Sequence, residues 1–311
     1  MKRFEKILLY VGLEDSVEQL FERAANLAKQ NNARVSILSV APELPDSLDE
    51  ASLSFSTQKL EQIIQNEYQE RLSALKKQFE EKFGIGPDTI LRKGTDYVEI
   101  VRQCIKDGVD LVMKVRSVRE HSEGTNDIDI RLQRKCPAEL WLLREEEKGH
   151  YRRILAAVDP FPGDDIGRAM NRKILEIASS LAQGEASELH LMSVWDGLGR
   201  DFIRRRLNEQ EFEKWEAIGM SSARAAVDKL VDETGVAKAK IIKELHVLSG
   251  APRLVIPKFV NSSQFDLIVL GTVARGGIVG KLIGNTAEEL VNIVNCSLLT
   301  IKPVGFVSPI S

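Results

Sequence analysis

The residues best suited to chemistry lie between Gly271 and Leu290, GTVARGGIVGKLIGNTAEEL, with glycines at Gly271, Gly276, Gly277, Gly280 and Gly284. In front of them stands Phe265-Asp266-Leu267-Ile268-Val269-Leu270, which offers apolar residues to both faces and predicts a buried parallel strand. Behind them, Asn285 and Thr286 precede Ala287-Glu288-Glu289-Leu290, a helix start with capping side chains and acids in its first turn. Strand, glycine-rich loop and helix N-terminus together suit phosphate. Glycine lets the backbone approach the anion, and the unpaired N–H groups of the first helical turn point at it. On spacing alone, a phosphate loop and a glycine-rich turn that binds nothing are equally good readings.

Other reactive residues are more scattered. Of the four histidines, His121, His150, His190 and His246, only His190 and His246 fall on strands that could be neighbours. A metal shared by the two is conceivable, but neither has a nearby partner at ligand spacing and Cys296 lies on a distant strand, so both read as ordinary strand histidines and no metal site is expected. No Ser/His/Asp or Cys/His/Asp grouping stands out in the chain order. The basic run Ile203-Arg204-Arg205-Arg206-Leu207 is followed at once by Glu209, Glu211 and Glu213, so it reads as a solvated helix start and not as an RNA contact. Trp141, Trp195 and Trp215 are expected in cores or interfaces, and the cysteines are expected to pack.

The elements that must position these residues occur twice. Lys6–Gly12 is matched by Arg153–Asp159, and Asp110–Lys114 by Asp266–Leu270; Cys136 before Leu140–Leu143 is matched by Cys296 before Leu298–Ile301. A repeat of about 150 residues indicates a duplicated domain and not a solenoid unit. The charged run Arg144–Gly149 is the joint, giving domains at 1–148 and 149–311. In the first half the pattern predicts strands to Gly12, then over Ala33–Val40, Thr89–Lys93, Leu111–Val115 and Leu140–Leu143. Helices are predicted at Ser16–Gln30, over a long stretch ending at Phe83, and at Val98–Lys106. The second half predicts strands near Ile154–Val158, Leu189–Val194, Lys240–Val247, Leu267–Leu270 and Leu298–Ile301, with a long helix carrying Ala223, Ala226, Val227, Leu230 and Val231. This is an α/β chain of two five-stranded, mostly parallel sheets, each with helices on both faces. Ligands of such sheets bind at the carboxyl ends of strands, near the switch in strand order.

Composition narrows the function classes. A hydrophobic share of 43% in 311 residues suffices for two cores, and a formal charge of −3 argues against general affinity for nucleic acid or acidic membranes. The three cysteines, Cys104, Cys136 and Cys296, are odd in number and widely spaced, which predicts free thiols in a reducing compartment. The start of the chain leads into too few apolar residues for a signal peptide, and no run approaches the roughly 20 residues of a membrane span. The expected location is the cytoplasm.

Three stretches carry a specific resemblance: Ala157-Val158-Asp159; Asp266–Thr272 leading to Gly284-Asn285-Thr286-Ala287-Glu288; and Asn295–Pro303. Together they resemble the universal stress protein family, and the duplication resembles its tandem, two-domain bacterial type. The resemblance implies a stress-response role and binding of ATP or a related phosphate-bearing ligand, with Mg2+ as an optional companion. Nucleotide binders of the family carry Gly, two residues, Gly, nine residues, then Gly and Ser. Here the first and third glycines are Gly271 and Gly284, but the middle position is Ala274 and the Ser position is Asn285, followed by Thr286. The methyl of Ala274 would crowd a backbone that in binders approaches the phosphates closely or adopts positive φ, so ATP is not assured and a different phosphate-bearing or diphosphate ligand is credible. Asn285 and Thr286 still offer donors, and Arg275 offers a charge-assisted one. The resemblance implies a site of Asp159, Val194, Gly271, Thr272, Arg275, Gly277, Gly284, Asn285 and Thr286, in which Asp159 contacts the nucleoside part. No residue is expected to be catalytic; slow ATP hydrolysis is the most that Asp159 suggests, so a weak nucleotide hydrolase is the alternative reading, and an interaction or RNA-associated module with a vestigial site, as Ala274 allows, is the third.

The first half lacks this loop. Arg116-Ser117-Val118-Arg119-Glu120-His121-Ser122-Glu123-Gly124 follows its fourth strand, and Gly12 stands where Asp159 does. That half is expected to bind no nucleotide. The resemblance further implies pairing through last strands, which Trp141–Leu143 and Leu299–Ile301 could satisfy within one chain, and it leaves a homodimer open.

Overall fold

The computed structural model describes residues 4–44, 56–116, 128–145, 149–197, 199–236, 241–272 and 285–310. The chain divides into two compact units, Met1–Glu145 with Ser308–Ser311, and Glu146–Val307. Among the described residues no helix is long and apolar enough to cross a membrane.

The first unit runs β1 (Lys6–Tyr10), α1 (Glu18–Asn31), β2 (Arg34–Ala41), α2 (Thr57–Phe83), β3 (Asp88–Lys93), α3 (Asp96–Asp107), β4 (Leu111–Val115), α4 (Ile128–Lys135) and β5 (Glu139–Leu143). Its strand order is β3-β2-β1-β4-β5, and its pairings are parallel. The second unit runs β6 (Arg153–Ala157), α5 (Asp165–Glu185), β7 (Glu188–Trp195), α6 (Arg200–Arg204), α7 (Glu209–Thr234), β8 (Ile242–Ser249), α8 (Pro252–Ser263), β9 (Leu267–Gly271), α9 (Asn285–Ile293) and β10 (Ser297–Ile301). Its order is β10-β9-β6-β7-β8, again parallel. The α/β fold with two parallel sheets is as the sequence pattern predicts. The short helix α4 is an addition that the sequence did not announce.

The first strand of each unit lies at the centre, and the chain crosses outward from it in both directions. Right-handed crossovers then put two helices on each face. Accordingly α1 touches α2 while α3 touches α4, and α5 touches α7 while α8 touches α9. The inner strands are apolar along their length because both faces are covered; Leu9, Val112, Leu155 and Ile268 are all buried. On α2, by contrast, only Leu72, Leu75 and Phe79 are buried, so this helix covers the sheet by a narrow stripe.

A carboxylate fixes the start of each central strand pair. One oxygen of Asp110 accepts from the N–H groups of Glu5 and Lys6 at 2.8 and 2.9 Å. The Asp266 carboxylate accepts from Arg152 and Arg153 at 2.7 and 2.8 Å. These charge-assisted pairs set β1 against β4, and β6 against β9, in the same register. The duplication therefore extends to individual hydrogen bonds.

Candidate functional site

Neighbouring strands lead to opposite faces between β6 and β9, which makes their carboxyl ends the switch point of the second unit. After β6 the chain passes through Val158 to Asp159. The Asp159 N–H donates to Asn171 Oδ1 at 3.0 Å, and Asn171 Nδ2 donates back to the Asp159 carbonyl at 2.6 Å. One Asp159 carboxylate oxygen accepts from the Phe161 N–H at 2.9 Å, closing an Asx-type turn. Asn171 lies on the inner face of α5 and is buried, so the helix holds the backbone of Asp159 directly.

At the end of β9, Gly271 is glycine for a reason of packing. A Cβ there would stand 2.8 Å from Met170 Cγ and 3.4 Å from Ile174 Cδ1, both on α5. The buried Thr272 follows. Its N–H and its hydroxyl both donate to the Ile301 carbonyl, at 3.1 and 3.3 Å. Val194 is buried near the end of β7, opposite Leu248 of β8. Asn285 and Thr286 are the first two residues of α9. Ala274, Arg275, Gly277 and Gly284 lie outside the described residues, as do Ser117–Gly124 of the first half. The structure thus brings Asp159, Gly271 and Thr272 to one end of one sheet, with Val194 on the neighbouring strand.

The equivalent end of the first unit is filled differently. Lys6 and Arg153 hold the same place in the register, so Tyr10 corresponds to Ala157 and Gly12 to Asp159. Tyr10 is buried, and its hydroxyl bonds to Asp96; burial and that carboxylate push its pKa above the ordinary tyrosine value. Asp96 is itself raised by burial, against the opposing pull of Tyr10 and Lys114. The Gly12 N–H donates to Asp15 Oδ2 at 2.7 Å, so the turn after β1 closes on a carboxylate. A phenol ring and two acids occupy the position at which the second unit has a half-exposed alanine.

The model of the family described as "Universal stress protein family" matches residues 3–143 and again 150–302. The chain belongs to the universal stress protein family. It carries two such domains in tandem, as the sequence resemblance indicated. It is 28% identical over 214 residues to universal stress protein E of Escherichia coli, a match that covers 68% of this chain and 66% of that protein, just under two thirds of its length. It is 25% identical over 315 residues to a universal stress protein E homolog of Haemophilus influenzae, covering 97% of this chain and 98% of that protein. Among solved structures, a universal stress protein from Archaeoglobus fulgidus superposes with a TM-score of 0.64 at 15% identity, over 96% of each chain, a likeness of fold alone.

Sequence reasoning missed two groups in this universal stress protein. Asn171 lies on a largely apolar helical face, where a buried amide is the usable signal. His190 and His246 read from the sequence as ordinary strand histidines, yet His190 Nδ1 lies 3.1 Å from His246 Nε2. Burial lowers the pKa of both, and the Arg153 charge adds to it, so the imidazoles are neutral at pH 7. The basic run is occupied locally: Arg204 lies over the Phe212 ring and Arg206 over Phe202, while Arg200 pairs with Glu216. Trp195 and Trp215 meet edge to face at 4.6 Å, and the three cysteines are buried and form no disulfide.

Proposed function

We propose that this universal stress protein acts in a cytoplasmic stress response by binding a phosphate-bearing small molecule, ATP or another nucleotide or diphosphate, in its second unit. The nucleoside part would lie against Asp159 at the ends of β6 and β9, and the phosphates against the loop that leads to the start of α9. The observation that carries this reading is the contrast at the two switch points. The second unit has Ala157, Asp159 and Gly271 where the first has Tyr10, Gly12 and Val115. Ala157 leaves its strand end half-exposed where Tyr10 fills the first unit's, while the space beside Gly271 is taken by Met170 of α5; a helix that begins after a glycine-rich loop offers N–H groups to an anion. In the first unit a buried ring and the acids Asp15 and Asp96 oppose phosphate both by volume and by charge, so that unit is assigned no nucleotide. The Asp159 carboxylate is engaged by the Phe161 N–H, which suits a binding residue better than a general base. Binding and not turnover is therefore the proposed activity.

Calorimetric titration of the full chain with ATP, with and without Mg2+, tests the reading. The expected result is one site per chain, weakened at least about tenfold by Ala157→Tyr, which transplants the first unit's residue. Native mass spectrometry of protein from its own host should identify the bound molecule. Ligand binding that is unchanged by both Ala157→Tyr and a bulky replacement of Gly284 would place the site elsewhere.

A further inference from the structure

We propose that His190, His246 and Glu244 form a binding site for a borderline divalent transition metal of the Zn2+ class, on β7 and β8 of the second unit. The site is separate from the strand ends assigned to the phosphate ligand. His190 Nδ1 and His246 Nε2 face each other at 3.1 Å. A carboxylate oxygen of Glu244 completes a set of three donor atoms that all lie within 4.8 Å of one another. Zn–N bonds of about 2.0–2.1 Å at a tetrahedral angle need the two nitrogens about 3.4 Å apart, so the imidazoles must part by only about 0.3 Å.

The backbone is shaped to bring these donors together. In the β7–β8 ladder Leu189 pairs with Ile242, but the next residue, His190, pairs with Glu244. Lys243 is the extra residue of a bulge, which is rare between parallel strands and is a device that re-aims side chains. Because side chains alternate faces, a ladder without this shift would set His190 opposite Lys243 and put Glu244 and His246 on the other face. The bulge therefore places two imidazoles and one carboxylate on the same side of the sheet.

Their surroundings are those of metal ligands. His190 is buried, and its Nε2 makes no hydrogen bond within ordinary reach; Glu188 Oε2 is its nearest acid at 3.5 Å. A ligating histidine commonly turns its second ring N–H to such a carboxylate, which fixes the tautomer that leaves Nδ1 as donor. Phe265 packs edge-on against His190 at 5.2 Å and Phe259 against His246 at 4.8 Å, so neither ring turns freely. Arg153 lies over the Phe265 ring and donates to the Ser263 carbonyl, and Lys243 pairs with Glu188. Glu188 and Glu244 balance these two cations, so a bound dication would not meet net positive charge. The Glu244 side chain is 61% exposed, which leaves a coordination position open to water. Two nitrogens and one oxygen select Zn2+, Co2+ or Ni2+ over Mg2+ or Ca2+.

The test is titration of the full, tag-free chain, first stripped with chelator, with Co2+ followed by its visible d–d absorption and then by Zn2+ displacement. One equivalent is expected to bind. His246→Gln and Glu244→Gln change partly or largely exposed side chains, so both variants should fold, and each should weaken binding at least about 100-fold. Glu188→Gln, acting through His190, should weaken it about tenfold and alter the Co2+ spectrum. Failure of the wild-type chain to take up one equivalent of Co2+ or Zn2+ would mean that the histidines are a hydrogen-bonded pair only. Uptake that is unchanged in His246→Gln would overturn the proposal equally.

Discussion

The junction of β4 with α4 and that of β9 with α9 occupy the same place in the two units, but they are held by opposite means. Leu111 pairs with Glu139 as Leu267 pairs with Ser297, so Lys114 corresponds to Leu270. The last helical bonds, Cys136 N–H to the Leu132 carbonyl and Val294 N–H to that of Leu290, align the helices and match Asp129 to Ala287. In the first unit Lys114 and Asp129, both almost fully buried, form an ion pair at 2.5 Å, and Lys114 Nζ also donates to the Val115 carbonyl at 2.6 Å. In the second unit the same two positions are the buried apolar pair Leu270 and Ala287. Duplication kept the frame, while the strand end was free to become either a charged lock or an apolar seam.

The largest expected effect comes from breaking the lock. Removing one partner of a buried pair leaves a charge without compensation, at a cost of about 3–5 kcal/mol. Lys114→Ala should therefore destabilise the first unit by that amount in urea unfolding of the full chain. The double change Lys114→Leu with Asp129→Ala, which copies the second unit, should return stability to within about 1 kcal/mol of the wild type, because the desolvation cost disappears with the charges. A single change costing less than about 1 kcal/mol would show that solvent reaches the pair, and the contrast would fall.

A smaller effect should follow at Gly271, whose counterpart is Val115. The two units differ here because α5 has 21 residues and α1 has 14, although both end two residues before the next strand. The additional residues lie at the start of α5 and bring Met170 over the end of β9; α1 begins only at Glu18, after the matching position Ser16. Gly271→Val should thus overpack the second unit by about 1–3 kcal/mol, with Met170→Ala restoring most of the loss in the same unfolding assay. If Gly271→Ala leaves stability intact but abolishes ligand binding, close approach of a ligand and not of α5 explains the glycine.

Much of the fold was legible, because apolar strand runs and their repetition are local signals. Lys6–Gly12 against Arg153–Asp159 announced both central strands, and the strands near Val115 and Val194 fell close to where they were expected. The site was legible only as a loop type. Tyr10 against Ala157 is visible once the strands are aligned, but its meaning depends on Asp96, which comes from a helix more than 80 residues away. The Lys114–Asp129 pair joins a strand to a helix that periodicity did not reveal. His190 and His246 could be placed on adjacent strands, but their common face depends on a one-residue bulge at Lys243, and no spacing rule encodes that shift.

Thr272 gives the smallest and most discriminating change. Its backbone N–H bonds to Ile301 as that of Arg116 bonds to Leu143, at 3.1 and 2.7 Å, so this strand-end link is common to both units. The hydroxyl adds a second, longer contact to the same carbonyl at 3.3 Å. Thr272→Val keeps the backbone link and the volume and removes only the hydroxyl. Because an intramolecular hydrogen bond contributes about 0.5–1.5 kcal/mol and this one is long, the loss in unfolding free energy should lie at the lower end. Hydrogen exchange along β10 should be nearly unchanged. A loss of ATP binding in Thr272→Val without any loss of stability would mean that the hydroxyl leaves Ile301 for the ligand. The second unit would then differ from the first not only in the space at its switch point but also in the donor that reaches into it.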